Sequence, residues 1–213
     1  ARVMAVFAPV VAADPPDIAV IACNTASTLV LPPLRKTYSF PVVGTVPAIK
    51  PAAEMSLSRM FTVMATPGTV ARDYTRELVD TFAQDCAVNL VGCPRLAQLA
   101  ENALRGLPVS DAELSDELAF VFVEKDGQRT DTVVLGCTHY PLLLDRMKRL
   151  APWPVMWIDP APAIARRVVQ LIGPAPDMAE EGGFGRALFT SGRAPEPALA
   201  VALRERYLVA RAQ

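Results

Sequence analysis

Short apolar runs alternate with stretches of helical periodicity along most of the chain. The runs are rich in Val and Ile or continuously apolar, and they lie at 18–22, 42–44, 61–65, 87–91, 132–135, 155–158 and 187–190. Strands that are buried on both faces have this composition. Helical patterns lie between the runs, for example at 69–82, 94–104 and 140–150. The alternation predicts an α/β protein with mainly parallel sheets flanked by helices.

One internal similarity links two distant parts of the chain. Residues 19–25 (AVIACNT) and 132–138 (TVVLGCT) each read as a buried strand, a small residue, a cysteine and polar residues, followed by a helical pattern. Two such units predict two related α/β lobes with a pseudo-two-fold relation. Ligands of open parallel sheets bind outside the carboxyl ends of the strands, which is where Cys23 and Cys137 lie. If the lobes face each other, the two thiols flank one ligand.

Prolines at strand ends suggest where one lobe gives way to the other. We expect the chain to cross to the second lobe near 46–47 and to return near 159–160. The predicted first lobe consists of residues 1–46 and 160–213, and the second consists of residues 47–159. Within the second lobe, Ser110 and Glu113 have the spacing of a capping box, which predicts the start of a helix.

Composition narrows the class of protein. The chain has 213 residues, of which 52% are hydrophobic, enough for one large or two small domains. Its 21 basic and 22 acidic residues nearly cancel, so nothing indicates a nucleic-acid or membrane partner. Four cysteines are too sparse for a disulfide scaffold, which favours a reducing cytoplasm with free thiols.

The sequence offers no pattern for the usual cofactors. It has no glycine-rich loop of the spacing that cradles phosphates. Its lysines do not follow strand ends, where a Schiff base with pyridoxal phosphate is expected; they are Lys36, Lys50, Lys125 and Lys148. We therefore predict that the protein uses no cofactor: no pyridoxal phosphate, no nucleotide and no metal.

A thiol at a strand end, just before a helix, has a defined chemistry. The helix N-terminus carries partial positive charge and free N–H groups, which favour a thiolate and can hold a carboxylate. Racemisation removes the α-proton of an amino acid from one face and returns a proton to the other. Two opposed thiols, one ionised and one protonated, can do this without moving a base across the carbon. The alternative is that Cys23 and Cys137 are small buried hydrophobic residues, the interpretation we prefer for Cys86 and Cys93.

Several motifs resemble the glutamate racemase family, part of the wider aspartate/glutamate racemase group. The strings at 23–26 (CNTA) and 136–143 (GCTHYPLL) resemble its two cysteine motifs, and the second is the more specific. The strings at 43–47 (VGTVP) and 65–70 (ATPGTV), and Gly92-Cys93-Pro94 followed by Glu101, resemble the family in order and spacing. The resemblance covers nearly the whole chain.

The resemblance implies a fold, an activity and a set of site residues. It implies two α/β lobes with the active site between them, and cofactor-independent conversion of L-glutamate to D-glutamate for bacterial peptidoglycan in the cytoplasm. The implied catalytic residues are Cys23, Cys137, His139 and Glu101, with the last two on the Cys137 side. The implied substrate-binding residues are Asn24, Thr25, Thr66, Thr69 and Thr138. The implied partner is the small-molecule substrate, and a homodimer is left open.

Some of these residues have simpler interpretations. Thr66 and Thr69 are placed to cap a helix that begins near Pro67. Glu101 lies in a mostly apolar helical stretch, where it is also expected as a solvated residue. His139 is the single histidine, and a lone histidine is often a packing or capping residue. Its position directly after Cys137 favours a functional role.

The chain departs from the family pattern at its start. The family begins with a strand that leads into an Asp-Ser-Gly-rich motif, followed by a Pro-Tyr-Gly motif, and neither precedes Cys23 here. The missing Asp is the implied partner of the first cysteine. We therefore expect these 213 residues to lack part of the first lobe and, by themselves, to lack full activity.

Three other functions stay open at this point. One is an aspartate-type racemase, although the string at 138–141 (THYP) favours the glutamate branch. A second is a non-catalytic or inactive protein on the same scaffold. A third is a metal or redox protein, which the absence of a Cys-x-x-Cys pair disfavours; its ligands would come from Cys23, Cys86, Cys93, Cys137 and His139.

Overall fold

The computed structural model describes residues 2–174 and 183–211. The helices in these residues are α1 (Arg2–Ala13), α2 (Asn24–Thr37), α3 (Ile49–Met55), α4 (Pro67–Val70), α5 (Asp73–Phe82), α6 (Leu96–Leu104), α7 (Asp111–Leu118), α8 (Leu144–Leu150), α9 (Ala161–Ile172) and α10 (Pro197–Arg204). The strands are β1 (Ala19–Ile21), β2 (Val42–Gly44), β3 (Met60–Ala65), β4 (Ala87–Gly92), β5 (Glu124–Lys125), β6 (Gln128–Arg129), β7 (Thr132–Leu135), β8 (Met156–Ile158), β9 (Gly185–Leu188) and β10 (Leu208–Arg211). None of these helices is long and apolar enough to cross a membrane.

The largest sheet has four parallel strands in the order β4-β3-β7-β8. Every residue of β3 and β7 is buried, because both strands are short apolar runs with helices packed on the sheet. The side chains of Phe61, Val63 and Val134 are fully buried and pack with α3. The sheet therefore forms a rigid support for the loops at its carboxyl edge.

The two cysteine-bearing strands belong to different sheets. Strand β1 pairs in parallel with β2, in the register Ala19 to Val42, whereas β7 pairs with β3 and β8. The predicted fold class, parallel sheets flanked by helices, is confirmed. The lobe boundaries stay a prediction, and residues 1, 175–182 and 212–213 of the predicted first lobe lie outside the described residues.

Some predicted elements differ in detail. The helical pattern at 69–82 is split into α4 and α5, and the pattern at 140–150 begins as a 3-10 helix (Tyr140–Leu143) before α8. The hairpin β5–β6 was not predicted, because its exposed residues carry no apolar alternation. Its turn residues Asp126 and Gly127 have φ of 55° and 78°. An Asp-Gly pair is typical of such turns, so the sequence did contain the signal.

Cys93 lies in the core between β4 and α6. Its side chain packs with Leu96, Leu135 and Met147, and it is 2% exposed. Burial raises the pKa of the Cys93 thiol from its ordinary 9.0 to about 12. Burial likewise raises the pKa of the neighbouring Tyr140 hydroxyl. These groups stay protonated in the folded protein at a pH where the unfolded chain ionises.

We predict that the Cys93 thiol makes the fold sensitive to alkaline pH. The unfolded chain loses this proton first, so the free energy of unfolding falls as pH rises from 9.0 towards about 12. The slope from one such group is about 1.4 kcal/mol per pH unit. Urea unfolding at several pH values measures it. Cys93→Ala removes this group, so the free energy of unfolding should fall less steeply with pH than in the wild type. An unchanged slope would show that the Cys93 thiol does not cause the pH dependence.

We also predict that Gly136, between β7 and Cys137, does not tolerate a side chain. A Cβ at this position would lie 2.9 Å from the Met64 carbonyl oxygen and 2.9 Å from Ala65 Cβ. Gly136→Ala should therefore lower the free energy of unfolding by about 1–3 kcal/mol. Gly183→Ala is the control, because a Cβ there meets no atom within 4 Å. Equal stability of the two variants in urea unfolding would show that the chain relaxes around Gly136.

Candidate active site

The two predicted cysteines line one cavity. Each follows its strand by two residues: β1 ends at Ile21 and β7 at Leu135. The cavity has a volume of about 190 Å³ and is lined by Ala22, Cys23, Asn24, Thr25, Thr66, Thr69, Ala97, Gly136, Cys137, Thr138 and His139. All the predicted site residues except Glu101 are in this set. A larger apolar cavity of about 310 Å³, beside Pro47 and Ile164, contains none of them.

Cys23 is the N-cap residue of α2. Its backbone is extended, with φ of −156° and ψ of 115°, and the Ala26 N–H donates to its Sγ over 3.4 Å. The sulfur therefore lies at the positive end of a helix of 14 residues, where a negative charge is stabilised. Cys23 is also exposed, so a ligand in the cavity can reach it.

Cys137 lies in a different environment. It is half-buried, and burial raises the pKa of its thiol; the backbone N–H of His139 opposes the shift, and the charge of a Cys23 thiolate adds to it. The two sulfurs thus interact electrostatically, and ionisation of one disfavours ionisation of the other. This repulsion disfavours the state in which both sulfurs are ionised.

His139 connects Cys137 to Glu101. The imidazole Nδ1 is 3.9 Å from Cys137 Sγ, and Nε2 is 2.7 Å from Glu101 Oε1. If Nε2–H donates to the carboxylate, Nδ1 of the neutral ring faces the sulfur as an acceptor. Glu101 lies behind His139 and also pairs with Arg105, at 3.6 Å between Oε2 and Nε. Glu101 therefore contacts the imidazole and is not itself part of the cavity lining.

A crossed pair of hydrogen bonds joins the two cysteine motifs. Asn24 Nδ2 donates to the Gly136 carbonyl over 2.8 Å, and Thr138 Oγ1 donates to the Ala22 carbonyl over 3.2 Å. In each bond, the side chain of the residue after one cysteine donates to the backbone carbonyl of the residue before the other cysteine. Asn24 Oδ1 is buried and has no partner among the described residues. The crossed pair joins the two strand ends, and Asn24 itself lines the cavity.

Three hydroxyl groups that line the cavity form a triangle. Thr25 Oγ1 lies 2.7 Å from Thr69 Oγ1 and 3.2 Å from Thr66 Oγ1, and the last two are 3.1 Å apart. Thr66 occupies the N-cap position of α4, but its side chain makes no capping hydrogen bond. The triangle joins the start of α2 to the loop after β3, and its oxygens retain capacity to bond a ligand.

The remaining cysteines lie outside this cavity. Cys93 is buried in the core, and Cys86 is half-buried beside Asp85. Within residues 2–174 and 183–211, no group of three or more His, Cys, Asp or Glu side chains is arranged to hold a metal ion. The sequence prediction did not include Ala97, which lines the cavity from α6. The motif at 92–94 followed by Glu101 pointed to that segment but not to Ala97 itself.

Comparison with known proteins supports the resemblance seen in the motifs. The Asp/Glu/Hydantoin racemase family matches residues 2–168. A glutamate racemase of Brucella anthropi is 57% identical over 174 residues, covering 81% of this chain and 63% of the relative. A glutamate racemase of Brucella canis is 52% identical over 199 residues, covering 93% of this chain and 72% of the relative. The chain thus spans just under two thirds of the first of these relatives.

A solved structure has the same fold. It is the crystal structure of Escherichia coli glutamate racemase in complex with L-glutamate and the activator UDP-MurNAc-ala. The two sequences are 40% identical, and the TM-score between the two structures is 0.83. The match covers 99% of this chain and 80% of the E. coli chain. From the family match over 2–168 and these identities, the chain belongs to the Asp/Glu/Hydantoin racemase family.

Proposed function

We propose that the protein interconverts L- and D-glutamate by proton transfer between Cys23 and Cys137, without a cofactor. The observation that carries this proposal is that both thiols line one cavity of about 190 Å³, the size of a small molecule. The choice of glutamate rests on the Brucella relatives, which are named glutamate racemases, and on the E. coli structure, which holds L-glutamate. In this proposal the cavity lies between a lobe of 1–46 and 160–213 and a lobe of 47–159.

Each turnover breaks one C–H bond and forms another. The thiolate of one cysteine takes the α-proton, and the electron pair left on the carbon delocalises into the substrate carboxylate. The thiol of the other cysteine then gives its proton to the opposite face of that carbon. The first sulfur ends protonated and the second ionised, so the reverse reaction exchanges the two roles. Thiols suit this task because their reference pKa of about 8.5 is close to working pH.

The cavity wall supplies groups that match an amino acid. The N-terminus of α2 and the hydroxyls of Thr25, Thr66 and Thr69 present donors for a carboxylate. Asn24 and Thr138, which also line the cavity, complete the predicted binding set. Holding the carboxylate against donors stabilises the charge that develops on it during proton removal.

His139 and Glu101 act on the Cys137 side. Cys137 is the more buried thiol, and its raised pKa makes ionisation harder. An imidazole at 3.9 Å from its sulfur, backed by the Glu101 carboxylate, can accept the thiol proton and return it. The pair would therefore offset the cost of ionising a buried thiol.

D-glutamate is the product that this family supplies for peptidoglycan. We extend that role, and the bacterial cytoplasm as its place, to this protein on the family resemblance.

We predict that replacing either cysteine abolishes racemisation. Cys23→Ala or Cys137→Ala in the full-length protein should stop turnover in both directions, because every turnover uses both sulfurs. In heavy water, each variant should keep α-proton exchange only for the one enantiomer that its remaining cysteine deprotonates. Circular dichroism follows racemisation, and NMR follows exchange. Cys86→Ala is the control, since Cys86 lies outside the cavity.

The outcomes separate the alternatives. Near wild-type racemisation by Cys137→Ala would refute the two-thiol mechanism. Turnover of aspartate in place of glutamate would keep the mechanism and change the substrate. A full-length protein that racemises neither amino acid would favour the non-catalytic scaffold.

We predict a one-sided effect for the histidine pair. His139→Gln should slow the exchange of the enantiomer that Cys137 deprotonates by about 100-fold, the lower range of general acid–base effects. Exchange at Cys23 should change much less. Gln98→Ala, an exposed change on the same helix as Glu101, is the control. Equal slowing of both exchange reactions would show that His139 does not serve Cys137 in particular.

A further inference from the structure

Glu117 is a buried carboxylate that the proposed mechanism does not use. It lies in the last turn of α7, outside the cavity, and its side chain is only 4% exposed. A carboxylate is seldom buried to this extent unless it is paired or hydrogen-bonded. The hydrogen-bond partners of the Glu117 carboxylate therefore indicate its structural role.

Among the described residues, the hydrogen-bond donors to the Glu117 carboxylate all lie at the start of α6. Oε2 accepts hydrogen bonds from the backbone N–H groups of Arg95 and Leu96, at 3.1 and 3.2 Å, and Oε1 accepts from Arg95 Nε at 3.1 Å. Arg95 is the N-cap residue of α6, and its own side chain makes no capping hydrogen bond. Glu117 thus caps α6 from another helix, and its charge lies at the positive end of the α6 dipole.

Helix α6 carries Glu101, five residues after Leu96. A short helix of nine residues moves as a unit, so a shift at its N-terminus displaces Glu101. The 3-10 helix that follows His139 packs against α6, and Tyr140 Oη donates to the Cys93 carbonyl just before α6 begins. The segment from Cys93 to Leu96 is therefore held by Glu117 and by Tyr140, the residue that follows His139.

We infer that Glu117 is a positioning residue: by capping α6 it places Glu101 at hydrogen-bonding distance from His139, and so supports proton transfer at Cys137. This inference rests on the proposed function for its effect on turnover. The placement of Glu101 itself does not depend on that function, so it can be measured separately.

The test replaces Glu117 by an isosteric neutral residue. Glu117→Gln leaves an amide N–H₂ facing a donor, because every partner of the carboxylate is an N–H group. The His139 imidazole ¹⁵N resonances should move towards their positions in Glu101→Gln, and assignment is simple because the sequence has one histidine. In the full-length enzyme, kcat should fall by about 10-fold, as expected when a catalytic group is slightly misplaced. KM should change less than kcat, because Ala97 is the single residue of α6 that lines the cavity.

A double-mutant cycle distinguishes positioning from general destabilisation. In the Glu101→Gln background, Glu117→Gln should reduce kcat by less than about 2-fold further, since the contact it supports is already lost. Glu113→Gln is the matched control: it lies on the same helix and its carboxylate also accepts a backbone N–H, but it caps α7. It should leave kcat and the His139 resonances unchanged.

Two results would overturn the inference. One is an unshifted His139 spectrum in Glu117→Gln. The other is a full 10-fold loss that persists in the Glu101→Gln background. If Glu117→Gln does not fold, Arg95→Gln removes the half-exposed partner of the same cap and should shift the His139 resonances in the same direction. A wild-type protein without racemase activity would refute the proposed function, while the His139 spectra would still decide the placement of Glu101.

Discussion

The crossed hydrogen bonds between the two cysteine motifs are the contact on which the site depends. Asn24 and Thr138 each reach across to the carbonyl that precedes the other cysteine. Two thiols can serve opposite faces of one carbon only if the gap between them is fixed. Because β1 and β7 lie in different sheets, no ladder of backbone hydrogen bonds sets that gap. These two bonds, with the hydroxyl triangle, set it instead.

The supporting side of the cavity is rigid for a simple packing reason. Strand β3 is buried on both faces and pairs with β4 and β7, and Gly136 lies so close to β3 that a methyl group does not fit. A close-packed interior does not deform by small amounts, so the backbone that carries Cys137 has one available position. The more exposed Cys23 relies on the N-terminus of α2.

The two sulfurs are chemically unequal, and the site has a means of balancing them. Cys23 lies at a helix N-terminus and is exposed, whereas burial raises the pKa of Cys137. The His139–Glu101 pair lies beside Cys137, the more buried of the two thiols. In the proposed reaction each sulfur must be ionised in turn, so added assistance is needed where burial opposes ionisation. Glu117 caps the helix that carries Glu101, and we infer that it positions Glu101 for its contact with His139.

The sequence by itself determined the fold class, most strands of the sheets and the two strand ends where the cysteines lie, since these follow from apolar runs and local spacing. It also marked the Ser110–Glu113 capping box, which the structure contains. Only the tertiary structure decided that Thr25 meets Thr66 and Thr69, that Glu101 meets His139 from 38 residues away, and that Glu117 caps α6. The physical reason is that a local pattern fixes dihedral angles and a buried face. Contacts between side chains far apart in sequence depend instead on how helices pack on the sheets. This packing has no periodic pattern in the sequence from which it could be predicted.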